Sequence, residues 1–288
     1  MKEYKNNKEL IEYLISKNVI INDKEKALEN IELYSYYSIV NSYKFVFKDE
    51  ENNYKQNVTF EEIFAVYEFD KNIKAIFLKY VLEIEVIIKS LIANVIAEQY
   101  GVEDYLKLEN FDEHANEEYI NNLIECVNKE IEDNYKKHCA IKHYKDTYGF
   151  IPPFVLTKIL TFGLISRYYG LLKQIDRQAI SKRFKISDKF LKQILVNLTM
   201  VRNISAHSDR LFCFRSKYYI SFKEIDEEYQ ADRNFTNLYM IIKCMQMLLK
   251  EEKFKEFEDL FNREIEILKG KLHSININDI LKIIGFNA

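Results

Sequence analysis

Proline and glycine are almost missing from this chain, two and six among 288 residues, and tryptophan is missing altogether. So little punctuation excludes a sheet built on many tight turns and leaves long helices as the simplest reading, an all-α fold. Cysteine is scarce too. Cys126, Cys139, Cys213 and Cys244 lie far apart with no CxxC pair, which argues for free thiols over a disulfide framework. No segment approaches the roughly 20 apolar residues that span a bilayer, and no basic, apolar and small-residue leader opens the chain, so a cytoplasmic protein without a membrane partner is expected. GxGxxG, GxxxxGK[ST] and GxSxG do not occur, which removes the commonest nucleotide-binding and serine-hydrolase readings. Neither a repeat of fixed period nor a low-complexity tract is present.

What is abundant is apolar and charged residue types together: 48% hydrophobic residues, enough for a sizeable core, and 42 basic against 45 acidic residues. The near balance argues against a general nucleic-acid coat, but the distribution is uneven. Lys158 to Lys217 holds thirteen basic and three acidic residues (Asp176, Asp188, Asp209), a surplus of ten that leaves the rest of the chain at −13. Such a segment reads either as an electrostatic footprint for a polyanion or as solvated helix faces.

Apolar spacing places short amphipathic helices over 8–17 and 24–33, followed by a tyrosine-rich stretch with Tyr34, Tyr36, Tyr37 and Tyr43 that fits a helix or a strand. The polar run 49–57 reads as a loop. Thr59 with Glu62 three residues on forms a capping-box signature, and the following forty or so residues contain no proline and no glycine before Gly101, predicting one long central helix. A further helical pattern over 117–145 ends near Gly149, and Pro152 and Pro153 mark the best internal boundary. Helical spacing resumes over 154–175, with Gly163 suited to a close helix approach, and Ser187 and Asp188 cap a helix running to Asn203. Residues 212–222 suit a short hairpin or an irregular excursion, and 235–250 and 253–269 are helical. The organisation expected is an N-terminal helical extension over 1–58 and a helical domain over 59–288, forming one continuous globular unit.

The most informative stretch is VRNISAHSDR, Val201 to Arg210, which sets an arginine, a carboxamide and an imidazole within six positions. Arg202 offers a permanently charged fork of donors matched to phosphate oxygens. His207 carries the one side chain whose ordinary pKa lies near neutrality. Together with Asn203 they suit phosphodiester chemistry without a metal. On a straight helix, at about 100° per residue, Arg202 and His207 stand roughly 140° apart and share no face. Uniting them requires a helix break between the two or a site completed by a second copy of the chain. The plainer alternative is a surface arginine and a histidine serving a helix C-terminus.

VRNISAHSDRLF resembles the RNxxAHxxRL signature of the Abi-like family, the phage abortive-infection proteins of the AbiD and AbiF type within the HEPN superfamily. Three upstream blocks are similar in the usual order, over about 30–215: LYSYYSIVNSY; the long-helix block with Tyr67, Phe69, Asp70, Lys71, Ile84 and Glu85; and IPPFVLTKILTFGLISRYYGLL. Phe154 and Phe212 stand where the family commonly has tryptophan, and Asp209 where a neutral or basic neighbour is more usual. The resemblance implies a HEPN-type helical bundle, here with additional N- and C-terminal helices, a homodimer, and metal-independent RNA cleavage as a phage-defence toxin. His207 would exchange the proton of the ribose 2′-hydroxyl or the leaving oxygen, help typically worth about 10²–10⁴-fold. Arg202 would offset charge growing on the phosphate, and Asn203 would orient the imidazole or hold a phosphate oxygen. Arg183, Lys192, Arg210, Arg215 and Lys217 are the expected RNA contacts, for substrate and for a structured noncoding RNA of the kind that restrains some relatives.

No cofactor or metal is expected. Cys139 and His143, four apart beside His138, begin a ligand set but do not complete the three or four that zinc requires. Asp70, Glu83 and Glu85 on the long helix are expected to find an intramolecular partner such as an arginine, with Glu85 a candidate to face the motif. Two rivals to the nuclease reading stand beside it: a catalytically silent binder of a noncoding RNA, and a structural helical protein whose motif merely caps and packs a helix.

Overall fold

The computed structural model describes residues 4–207, 209–220 and 235–286. It begins with two short helices, α1 (Asn7–Ser16) and α2 (Lys24–Tyr34), each started by a side chain that accepts an orphan first-turn N–H: Asn6 from Glu9, Asp23 from Lys26. The tyrosine-rich stretch falls on the helical side, as a π turn (Tyr37–Asn41) and a 3-10 turn (Lys44–Phe47). Residues 1–58 do not stand apart. Ile11, Leu14, Ala27 and Ile31 belong to the same buried cluster as the following helices, and Ile20 exchanges backbone hydrogen bonds with Val58 (2.9 Å) and Phe60 (2.8 Å).

The long helix forms as its spacing predicts. α3 (Phe60–Tyr100) spans 41 residues, opens on the reciprocal Thr59–Glu62 capping box and stops at Gly101, whose φ of 78° lies in the left-handed region. Ile73, Phe77, Tyr80, Ile84, Ile88 and Ile92 line its core face without solvent exposure.

The pattern at 117–145 is two helices, α4 (Glu117–Tyr135) and α5 (Cys139–Tyr148). The Asn134 amide bonds the Glu130 carbonyl, Lys137 and His138 donate to the Asn134 carbonyl, and His138 is extended, so the chain turns where no apolar position holds it to the core. The proline pair marks a boundary between helices: α5 ends before it, and Pro153 is the first residue of α6 (Pro153–Ile159), which packs on α3. The helical spacing that follows is interrupted twice, because Thr161 caps α7 (Phe162–Leu171) through the Leu164 N–H and the chain is extended at Leu172 before α8 (Gln174–Ser181). Ser187 caps α9 (Asp188–Ala206), which lies along α3 and α7. Gly163 is one place where α7 meets α9; a β-carbon there would sit 3.4 Å from Thr199 Cγ2.

Beyond α9, two-residue strands β1 (Arg215–Ser216) and β2 (Thr236–Asn237) pair antiparallel, Arg215 opposite Asn237. Of the stretch expected to form a hairpin or excursion, the described part contributes only β1, and its partner β2 lies outside that stretch; residues 221 and 222 lie outside the described residues. α10 (Leu238–Leu248) and α11 (Glu251–Lys269) match the two predicted runs, and Phe257 of α11 meets Phe77 and Tyr80 edge-on at 5.1 and 5.5 Å. α12 (Ile277–Ile284) is not anticipated above. Glu62 ties this end to the start of α3. Its Oε1 accepts from His273 N, Ser274 N and Ser274 Oγ while Oε2 accepts from Thr59 N. The fold is all-α, and no described helix is long and apolar enough to cross a membrane.

Candidate active site

The last turn of α9 splits its residues by surroundings. Val201 and Ser205 point into the core, Arg202 is half-buried, and Asn203 is exposed. The helix ends at Ala206. His207 is extended (φ −122°, ψ −175°), donates its backbone N–H to the Ile204 carbonyl at 3.2 Å and is exposed. A break between Arg202 and His207, one of the two geometries the spacing demands, is therefore present, although no hydrogen bond joins the two side chains among the described residues.

Arg202 faces α3. Its Nε lies 3.8 Å from Glu85 Oε2, while Glu85 Oε1 pairs with Lys89 Nζ at 2.7 Å. Both Glu85 Oε2 and Arg202 Nε are buried atoms without a hydrogen-bond partner, so the pair is in ionic contact but not closed by a direct bond. A buried acceptor and donor held just beyond bonding distance are costly unless something completes them.

The loop carrying His207 is held from below by α3. Asp70, fully buried, accepts from Leu211 N (3.0 Å) and Phe212 N (2.7 Å) through Oδ1 and from the Tyr43 hydroxyl (2.7 Å) through Oδ2. Lys74 Nζ stands 4.0 Å from the same carboxylate and donates to the carbonyls of Asp209 (3.2 Å) and His207 (3.5 Å). Burial pushes the Asp70 carboxyl above its usual range, against the opposite pull of the Phe212 N–H, the Tyr43 hydroxyl, Lys74 and the Leu211 N–H. Burial likewise raises Tyr43 and Cys213. The arginine partner expected for the α3 carboxylates is found for Glu85 but not for Asp70, because the backbone of the motif loop and Tyr43 fill its acceptor positions. Phe212 stacks on Tyr43 and Phe45 at 5.7 and 5.9 Å, so the aromatic that stands in a tryptophan position roofs this contact.

The expected RNA contacts are dispersed. Arg210 donates to the Ser42 carbonyl at 2.6 Å and lies over the Phe45 ring, which anchors its loop to the π turn. Arg215 on β1 bonds the Phe214 carbonyl and covers the Phe235 ring. Lys192 lies along α7 and bonds the Gly170 carbonyl at 3.2 Å; Lys217 and Arg183 are exposed. Arg177, within the same basic segment, bridges Asp112 and Asp188 at 2.9 and 3.2 Å, so part of the surplus charge is neutralised inside the fold. A cavity of about 980 Å³ between α4, α7 and α9 is lined by Arg167 and Lys192 but by neither Arg202 nor His207. His143 packs edge-on against Tyr144 and Tyr148, and among the described residues no three histidine, cysteine or acidic side chains are grouped to hold a metal.

Sequence reasoning missed the supporting roles of Tyr43, Lys74 and Lys89. Lys74 and Lys89 each follow a buried acid by four positions, a helical spacing that marks them as partners.

The family model described as Abi-like protein matches residues 29–213, from α2 through the loop that Asp70 pins. No curated protein and no solved structure matches the chain.

Proposed function

The chain belongs to the Abi-like protein family, and from that premise we propose that it is a phage-defence endoribonuclease of the HEPN type, acting without a metal on cytoplasmic RNA. One observation carries the reading: Arg202 sits half-buried against an acid while His207, just past the end of the same helix, is exposed on a loop whose backbone is fixed by a buried carboxylate. That is a charge-neutralising group and a proton carrier held on rigid supports.

In the proposed reaction His207 takes the proton of a ribose 2′-hydroxyl. The oxygen attacks the adjacent phosphorus, the bond to the 5′-oxygen breaks, and a proton is returned to that leaving oxygen. Products are a 2′,3′-cyclic phosphate and a 5′-hydroxyl, and DNA, lacking the 2′-hydroxyl, is not cleaved. Arg202 offsets charge on the phosphorane oxygens, and Asn203, exposed one residue on, holds a phosphate oxygen or the imidazole. A homodimer would bring a second Arg202 and His207 to the same phosphate. Purified protein is incubated with labelled RNA in EDTA. Cleavage that disappears in Arg202→Ala and His207→Ala supports the proposal; undiminished cleavage in both variants defeats it.

The engagement of Arg202 with Glu85 and of Arg210 with Ser42 favours a second reading, a catalytically silent protein that holds a structured noncoding RNA on its basic face. Salt-sensitive RNA binding with no cleavage product would select it.

A further inference from the structure

Five rings form a continuous seam beneath the motif loop. Tyr34 lies 5.6 Å from Tyr67, Tyr67 meets Tyr43 edge-on at 5.9 Å, and Tyr43 stacks on Phe212, which stacks on Phe45, at 5.7 and 5.9 Å. Tyr43 and Phe212 in its middle are buried, whereas the two ends, Tyr34 and Phe45, are 38% and 42% exposed. A cation covers each end. The Lys71 ammonium stands 5.4 Å from the centre of the Tyr34 ring, and the Arg210 guanidinium 5.3 Å from that of Phe45.

The two cations are not equivalent. An ammonium is a compact, hydrated charge with no flat surface, whereas a guanidinium is a plane that stacks on its faces and bonds along its edge. Arg210 turns part of this inward. Its Nη1 donates to the Ser42 carbonyl at 2.6 Å, an edge contact, while one face lies over Phe45. The residue is exposed all the same, so the outer face of the plane is what solvent meets. The bond to Ser42, which draws Arg210 away from simple phosphate binding, also fixes the orientation of that plane.

The supports on either side of Arg210 are pinned. Asp70 accepts from Leu211 N, Phe212 N and the Tyr43 hydroxyl, and Lys74 donates to the carbonyls of Asp209 and His207. His207, exposed, is three positions upstream. Three residues of chain reach at most about 11 Å, so a base resting on Arg210 belongs to a nucleotide close to the phosphate that His207 serves.

Unpaired bases stack on aromatic rings and on guanidinium planes, and a positive charge beside the stack attracts the backbone. Resting on the nuclease reading above, we propose that the outer face of Arg210, backed by Phe45, is a base platform for single-stranded RNA. It stacks one unpaired base and holds that nucleotide in register with His207, which selects strands that are unpaired at this position.

The test is fluorescence anisotropy on the full chain with labelled 2′-O-methyl oligoribonucleotides, whose blocked 2′-oxygens cannot attack, so binding is read without cleavage. The base is deleted at each position in turn. In the wild type, one position should lose about fivefold or more in affinity when made abasic, the low end of a stacking contact. Arg210→Lys keeps the charge and loses the plane. It should bind the intact strand about fivefold or more weakly, with unchanged melting temperature, and the abasic change at that position should then cost no more than about twofold. Phe45→Leu, which leaves the charge untouched and removes the ring behind the plane, should reduce the cost of the same abasic change. No binding by the wild type, no position sensitive to base removal, or a sensitivity unaltered in both variants overturns the proposal. An all-ribose strand of the same sequence reads the nuclease separately. Base coupling without cleavage keeps the platform and defeats the nuclease reading; cleavage lost in Arg202→Ala without base coupling defeats the platform alone.

Discussion

Replacing Asp70 with alanine removes the acceptor of three donors at once: the Leu211 and Phe212 N–H groups and the Tyr43 hydroxyl, all on residues at most 2% exposed. A buried donor without a partner costs about 1–3 kcal/mol. Three such donors give roughly 3–9 kcal/mol before relaxation. Two effects pull the sum down. The burial that raises the Asp70 carboxyl is itself unfavourable and vanishes with it, and water can enter beside the exposed loop. The expected loss is therefore about 3–4 kcal/mol. Asp70→Asn keeps an oxygen facing Leu211 and Phe212 and lets the Tyr43 hydroxyl turn to accept from the new amide, so its loss should be only about 1 kcal/mol. Urea denaturation reads both values, and hydrogen exchange reads whether the Leu211 and Phe212 amides lose protection. A loss below about 1 kcal/mol in Asp70→Ala, with those amides still protected, would refute the idea that this carboxylate fixes the motif loop.

Other outcomes follow from the same contacts. Glu85→Gln removes the counter-charge of Arg202, and if Arg202 meets phosphate, the salt dependence of single-stranded RNA binding should steepen by about 0.7 in log–log slope, while Arg202→Ala should flatten it. Burial raises the Glu62 carboxyl, but the N–H groups of Ser274, His273 and Thr59 and the Ser274 hydroxyl outweigh it and leave it below its ordinary value. Its stabilising contribution is thus fully present above the unfolded value and disappears as pH falls through the lower folded value, so wild type and Glu62→Gln should differ in melting temperature at pH 6 and converge on strong acidification. Gly163→Val drives a branched side chain into Thr199 Cγ2 and should cost about 1–3 kcal/mol by chemical denaturation.

Local signals were legible and long-range ones were not. Thr59, Glu62 and Gly101 delimit α3, and Ser187 starts α9, because capping chemistry is written within four residues. The split of α6, α7 and α8 was hidden, since apolar spacing continues across Thr161 and Leu172 while the backbone becomes extended there. α12 escaped because a helix of eight residues presents too short a period to separate from its flanks. At the candidate site, the residue types at 202, 203 and 207 could be read from the sequence, and the helix end between them was one of the two geometries that their spacing left open. The contacts that hold them could not: Tyr43 and Leu211 meet through Asp70 across 27 and 141 positions, distances over which side-chain pattern carries no pairing information. Charge was the least faithful guide, because Arg177 and Arg210, counted toward a polyanion surface, are committed to Asp112, Asp188 and Ser42.

Glu62 caps the first turn of α3 with one oxygen and holds residues 211 and 212 positions further along with the other. During synthesis the ribosome delivers that helix start long before Ser274 emerges. Until then, the carboxylate at the base of the longest helix faces water, and Lys271 is not yet there to pair with Glu68 at 3.1 Å. The clasp at the base of the spine on which Asp70, Lys74 and Glu85 are mounted is therefore supplied by residues made after the motif, so a nascent chain of this protein carries its whole RN…H motif before that clasp exists.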